Sequence, residues 1–432
     1  MKSIRILSAC VAGVVLCTAQ AAVDQAKIDA VARGELKEAK ASWWGFDAAD
    51  STDALQKAIN SKVPKLIIDK QSSPWIVRPL FGVSNQTIVF EEGAELLAKE
   101  GEFKERLDCV LTYEDAENVK VLGQGKGGII RMRKADYQNK KLYSHSEWRH
   151  CILVRGGKNF RVENMKLCSS GGDGIEIYRV ENFVIRNVIC DDNHRQGMSI
   201  ISGQDILVED CEFNRTYGTD PQCGLDIEPF DPKNSELRNI VIRNCRFAGN
   251  ANFGIFVCLA YFESHLAGKL DIRFENCLTE DNRKGEIVSL CDSLHKDIPP
   301  IQGRIEFVGC KAINRPGSPH SAVSFISDAC HEIDVVLKDL TIRQGGGKNA
   351  LQFVFRNPRK PGAKPMSKIT LDDVKFPDCS ARDALKLVDA TGSGRIDNFR
   401  GFIVDREGRR VPVGTALADA QKAAPGKGRT EK

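Results

Sequence analysis

After residue 21 the chain contains no run of about 18 apolar residues, so no membrane-spanning helix is expected there. A formal charge of +4 over 432 residues, or 4 − 2 = +2 without Lys2 and Arg5, is too weak for an electrostatic nucleic-acid binder. No Cys-x-x-Cys pair occurs, and His145 with His150 lacks a third ligand at zinc-like spacing, so no metal centre is expected from these residues. Gly123-Gln124-Gly125 and Gly345-Gly346-Gly347 lack the strand-to-helix surroundings of a phosphate loop, which removes nucleotide cofactors. Aromatic residues are scarce at 7%, while 42% of residues are hydrophobic and 28% charged, a balance suited to one long domain or two compact ones.

A helical apolar period is also missing from the middle of the chain. Its place is taken by short β-branched runs with every other residue apolar, such as Phe183-Val184-Ile185-Arg186 and Ile206-Leu207-Val208-Glu209. These runs repeat. Glu209-Asp210-Cys211, Arg243-Asn244-Cys245, Glu275-Asn276-Cys277 and Val308-Gly309-Cys310 mark equivalent points. With Met165 and Val188 before them and Leu340 and Val374 after, the spacings are 23, 23, 34, 32, 33, 30 and 34 residues. A stacked coil of strands follows. The column Asn164, Asn187, Asp210, Asn244, Asn276 reads as a structural ladder bonding the turns of successive coils.

Residues 1–21 carry Lys2 and Arg5, an apolar stretch through Val14-Val15-Leu16 and small residues at Ala19-Gln20-Ala21. They are expected to be a signal peptide cleaved near Ala21, leaving a secreted or periplasmic protein. Residues 22–43 form a lead-in, 44–405 the solenoid, and 406–432, where the apolar period is lost, an extension expected to be disordered. Asp50 to Ile59 predicts a short capping helix with Asp50 as N-cap, Asp53 reaching back, and Leu55, Ala58 and Ile59 on one face. Residues 132–150 have no strand period and form an excursion.

Fifteen cysteines less Cys10 and Cys17 leave thirteen. Because Cys211, Cys245, Cys277 and Cys310 share one inward position with Met165 and Val188, they are expected to act as a buried thiol ladder. Bridging between neighbouring coils stays open at a coil spacing of about 4.8 Å.

The capped start, the Asn/Asp and Cys columns and the minimal coil of 23 residues resemble the right-handed parallel β-helix proteins of the pectate-lyase-like superfamily over residues 44–405. The fold class implied is all-β, a single-stranded parallel β-helix with an N-terminal capping helix. The resemblance also implies a secreted protein acting on polysaccharide, while adhesins and phage spikes share the fold. Gly172-Asp173-Gly174-Ile175-Glu176-Ile177 and Asp191-Asp192 are similar to parts of the polygalacturonase pattern, which implies a catalytic part for Asp173. Arg195 and Gln196 stand where that family sets its aspartate pair against the strand, and the later Gly-His-Gly and Arg-Ile-Lys elements are absent.

Laying Cys151–Arg155 and residues 174–178, 197–201, 224–228 and 254–258 over one another gives two outward columns. They read Leu153, Glu176, Ser199, Asp226, Phe256 and Arg155, Tyr178, Ile201, Glu228, Cys258. Backbone spacing places Asp226 about 6.7 Å from Glu228 and about 9.6 Å from Glu176. These are Cα spacings, and since side chains move a carboxyl by a few ångström, both overlap the roughly 6.5–9.5 Å that an inverting glycosidase needs between acid and base. Asp226 and Glu228 are therefore the expected catalytic pair, with Glu176 as alternative partner.

The turns Gly171-Gly172-Asp173, Asp191 to Gln196 and Thr219 to Gln222 are expected to crowd Asp191, Asp192, Asp220, Asp226 and Glu228 into one patch and push some pKa values up. Asp173, Asp192, His194 and Arg195 would contact substrate, and Tyr178, Phe256 and Tyr261 would offer ring faces to a sugar. Insertions at Pro229 to Lys233, Leu259 to His265 and Cys291 to Gln302 would wall the groove.

The expected partner is a polysaccharide or oligosaccharide, and a hydrolase needs no cofactor. A calcium-assisted lyase is the second reading, with calcium on Asp192, Asp226 and Glu228 and with His194 or Arg195 as base. A non-catalytic glycan-binding or surface-structural coil is the third.

Overall fold

In the computed structural model, which describes residues 20–230, 235–260, 270–291, 301–328, 332–346, 348–356, 368–389 and 398–423, the strands of the coils pair in parallel with those a coil earlier and a coil later. The chain winds as a right-handed parallel β-helix with three strands per coil. One coil runs Gln196–Ile200, Gly203–Glu209 and Glu212–Asn214, and the next Cys223–Ile227, Leu237–Arg243 and Arg246–Ala248. Register along the first sheet follows the apolar positions, with Ile177 on Ile200, Ile200 on Ile227 and Ile227 on Val257. These side chains are buried, because a one-residue slip would turn every one of them to solvent. The pairing continues past Gly285, where Ile255 meets Ile287.

The interior is filled by stacks of like residues. Phe160 lies on Phe183 at 5.3 Å, Phe213 on Phe247 at 5.2 Å and Phe274 on Phe307 at 4.5 Å between ring centroids. Cys211, Cys245, Cys277 and Cys310 form the expected inward column, buried and with free thiols. Each of these four thiols lies against backbone carbonyls and makes no bridge.

At the corners the backbone must bend through the left-handed region, which Asn and Asp tolerate better than other side-chain-bearing residues. Asn164, Asn187, Asp210, Asn244 and Asn276 all have φ between 51° and 56°. Their side chains bond from coil to coil, Asn187 to Asn164 at 2.8 Å and Asn244 to Asp210 at 3.1 Å. A second ladder, Asn85, Asn118, Asn159 and Asn182, lies at another corner.

Both ends are covered by helices. Thr52–Asn60 buries Leu55, Ala58 and Ile59 as expected, but Ser51 is the residue at its N-cap. Asp50 instead accepts from the Thr52 backbone and holds Arg78 and Lys99, a stronger use of a carboxylate than a cap. A further helix, Gln25–Ala32, lies in the lead-in. The stretch after 405 is ordered through residue 423, against expectation. Arg410–Pro412 pairs antiparallel with Phe399–Val404, and the helix Val413–Ala423 buries Val413, Ala416 and Leu417. Three apolar residues on one short helical face suffice there because the last coil offers an apolar surface to cover. No described helix is long and apolar enough to cross a membrane.

Residues 1–19, Tyr261, and most of the three insertions expected to wall a groove lie outside the described residues.

Candidate functional site

The first outward column forms in the expected register: Leu153 pairs with Glu176, Glu176 with Ser199, Ser199 with Asp226, and Asp226 with Phe256; in the second, Arg155 pairs with Tyr178. Close coil packing holds them. A Cβ at Gly174, the residue between Asp173 and the strand Ile175–Tyr178, would lie 2.6 Å from the Gly197 carbonyl oxygen. The columns face outward from the coil but not into open solvent. Asp173, Ser199 and Asp226 are fully buried and Glu176 is 6% exposed.

Residues missed in the sequence complete this cluster. His150, at the end of the excursion, is buried, and its Nδ1 accepts the backbone N–H of Asp173 at 2.9 Å. The proton of the neutral ring therefore sits on Nε2, which lies 3.3 Å from a Glu176 carboxyl oxygen. Burial, with Arg195 and Arg155 nearby, lowers the His150 pKa to about 3 and keeps the ring neutral. Gln196 donates from its side-chain amide to Asp226 Oδ2 at 2.8 Å, and Ser199 donates to Asp173 at 2.7 Å. His150, Asp173, Gln196 and Cys223 each stand two residues before the first inward apolar residue of their strand. That shared rung position was the available signal.

Arg195 is the cation of the cluster. It pairs with Glu228 at 3.1 Å and lies 3.8 Å from Glu147. Burial works against its charge, but Asp173, Asp226, Glu228 and Glu147 together raise its pKa. The acids divide unequally. Asp226 is pushed well above the usual carboxylate range by burial and then by Glu228, against the pull of Arg195. Burial raises Asp173 and Glu176 likewise. Asp226 Oδ1 has no hydrogen-bond partner, whereas Glu228 is held in its ion pair with a side chain 22% exposed. Such a pair can supply a protonated acid beside a carboxylate base.

The expected acidic patch does not gather as one. Asp191 pairs with Arg215 and Lys166, and its pKa falls because these outweigh its burial. Asp220 accepts from Gln222 and Asn252, which lowers its pKa. Asp192 turns to Lys134 at 3.0 Å and Ser169 at 3.1 Å. His194 takes a hydrogen bond from Gln138 and faces Thr219 at 2.9 Å, on the same side as Asp192 and away from the contacts of Arg195. Tyr178 stacks on Phe230 at 5.4 Å, and half-buried Phe256 on Phe253 at 5.2 Å.

The calcium set Asp192, Asp226 and Glu228 is not assembled, because Asp192 is drawn off by Lys134. Among the described residues the group whose ligand atoms approach within 4.8 Å of one another is His150, Asp173 and Glu176. The third partner that His150 lacked in the sequence is thus a pair of carboxylates from the next coil.

A family model described as the right handed beta helix region matches residues 128–297, the span that holds every residue of this cluster. The uncharacterized protein YclG of Bacillus subtilis is 29% identical over 157 residues, 32% of this chain and 26% of that protein. The match therefore spans about a quarter of that relative's length. The A-module of mannuronan C-5 epimerase AlgE4 from Azotobacter vinelandii aligns with a TM-score of 0.56 at 12% identity, covering 78% of this chain and 86% of its own. A family 28 exopolygalacturonase from Yersinia enterocolitica aligns with a TM-score of 0.54 at 12% identity, covering 87% and 79%. At that identity the likeness is one of fold, shared by an epimerase and a hydrolase.

Proposed function

We propose that this right-handed parallel β-helix of the pectate-lyase-like superfamily acts on polysaccharide as an inverting glycoside hydrolase, exported through its N-terminal segment. One observation carries the reading: a buried carboxyl, Asp226, with one oxygen unpartnered, stands two residues from a carboxylate, Glu228, held by Arg195. Asp226 gives its proton to the glycosidic oxygen as the bond to the leaving sugar breaks. Glu228 takes a proton from the water that attacks the anomeric carbon from the opposite face. Gln196 and Arg195 orient the two groups. The neutral His150 ring lies beside Glu176, at 3.3 Å, at the edge of the same cluster.

The test is turnover of a polysaccharide by the Asp226→Asn variant, which should fall by about 10²–10⁴-fold. Proton NMR of the first product should show the inverted anomer. Full turnover by Asp226→Asn overturns the assignment.

A metal-assisted lyase is the second reading, favoured by the grouping of His150, Asp173 and Glu176. It would give an unsaturated, ultraviolet-absorbing product and lose activity to a chelator, whereas hydrolysis gives new reducing ends without absorbance. A glycan-binding coil would do neither.

A further inference from the structure

The turn 192–195 faces two ways. Arg195 points to the carboxyl cluster, while Asp192 and His194 line a separate groove of about 700 Å³ with Leu97, Gln138 and Tyr217. Resting on the polysaccharide reading above, we propose that this groove is a subsite for an uncharged sugar unit, stacked on Tyr217.

The volume lies within the range of small-molecule sites. Tyr217 is 56% exposed, in a fold that buries most of its rings. Its orientation is fixed, because the Lys134 ammonium lies 3.1 Å from the ring centroid and is itself held by Asp192 Oδ1 and the Asn193 carbonyl, both at 3.0 Å. An exposed ring held rigid beside hydroxyl, amide and carboxylate groups suits the C–H face and hydroxyl rim of a pyranose.

Charge selects the class of sugar. Every cation lining the groove is already matched: Arg131 by Glu95 at 2.7 Å, Arg133 by Glu100 at 3.1 Å and by Asp136, and Lys134 by Asp192. His194 adds no charge near neutral pH, since burial and then Lys134 lower its pKa to about 4. A uronate or sulfate entering here would be desolvated without gaining a cation, whereas hydroxyls meet donors and acceptors in place.

The experiment uses the full chain with Asp226→Asn to suppress turnover, run by affinity electrophoresis through gels holding starch, β-glucan, xylan, galactomannan or arabinan, and through gels holding polygalacturonate, alginate or hyaluronate. Retardation by at least one uncharged polymer is expected. Tyr217→Ala should weaken it about tenfold, and Tyr217→Phe should keep it. The exposed position of Tyr217 makes both variants fold, which an unchanged thermal midpoint verifies. Retardation by acidic polymers alone, by none, or equally in Tyr217→Ala overturns the subsite. Should Asp226→Asn fold poorly, the same comparison in the wild-type background reads the subsite as a rise in KM with little change in kcat. Failure of the hydrolase reading shows separately, as full turnover by Asp226→Asn.

Discussion

The Gln196 side-chain amide donates to Asp226 Oδ2 at 2.8 Å while the other oxygen of the same carboxyl meets no partner. Gln196 lies one coil before Asp226, and its hydrogen bond favours the charged form of a group that burial and Glu228 otherwise keep protonated. An acid must hold its proton, so activity falls as pH rises through the Asp226 pKa. Removing the bond in Gln196→Leu raises that pKa further. The alkaline limb of kcat/KM should therefore move to higher pH, and a limb that stays put or moves down would show that Asp226 is not the titrating acid.

Buried acids also set the pH dependence of stability. Glu286 is buried and accepts from the backbone and side chain of Asn282, and burial raises its pKa from 4.5 to about 8. The folded state keeps a proton that the unfolded state gives up, so the stability contribution is complete below about 4.5 and is lost as pH rises towards 8. Asp173, Glu176 and Asp226 act in the same direction. Urea unfolding should show stability declining from pH 5 to pH 8, and Glu286→Ala should flatten that slope by several kcal/mol even though its cavity lowers stability at pH 5. An unchanged slope in Glu286→Ala would refute the assignment.

The corner ladder predicts a graded loss. Asn244 has φ 55°, donates to Asp210 at 3.1 Å and accepts from Asn276 at 3.4 Å. Asn244→Ala loses both bonds and strains the backbone, at a cost of about 2–3 kcal/mol, while Asn244→Gly relieves the strain and should cost about half as much. Equal losses in chemical denaturation would mean that the backbone conformation contributes nothing.

The C-terminal helix should act as a lid on the last coil. Leu417 is fully buried, so Leu417→Asp places a carboxylate in that interface and should cost about 3 kcal/mol or more. It should also expose strand edges, detected as concentration-dependent assembly in sedimentation velocity. A monomeric variant of unchanged stability would remove the lid.

The repeat made most of the solenoid legible. Each apolar position recurs at a coil's length, so Ile177, Ile200, Ile227 and Val257 could be stacked on paper, and with them Glu176, Ser199, Asp226 and Phe256. The asparagine ladder was legible for a local reason, the cost of left-handed backbone to other side chains. The order of residues 406–423 is not legible in the sequence, because one short amphipathic helix without a repeat gives little periodic signal.

Sequence by itself determined the coil, its register and which carboxyls share a column, because alternation and repeat length are properties of the chain that packing merely obeys. Only the tertiary structure decided which acids become a site. Asp191, Asp192 and Asp226 look alike in sequence, but Arg215 takes the first, Lys134 the second, and burial beside Glu228 isolates the third. Desolvation and the nearest opposite charge fix what a carboxyl does, and both come from neighbours one coil or more away along the chain.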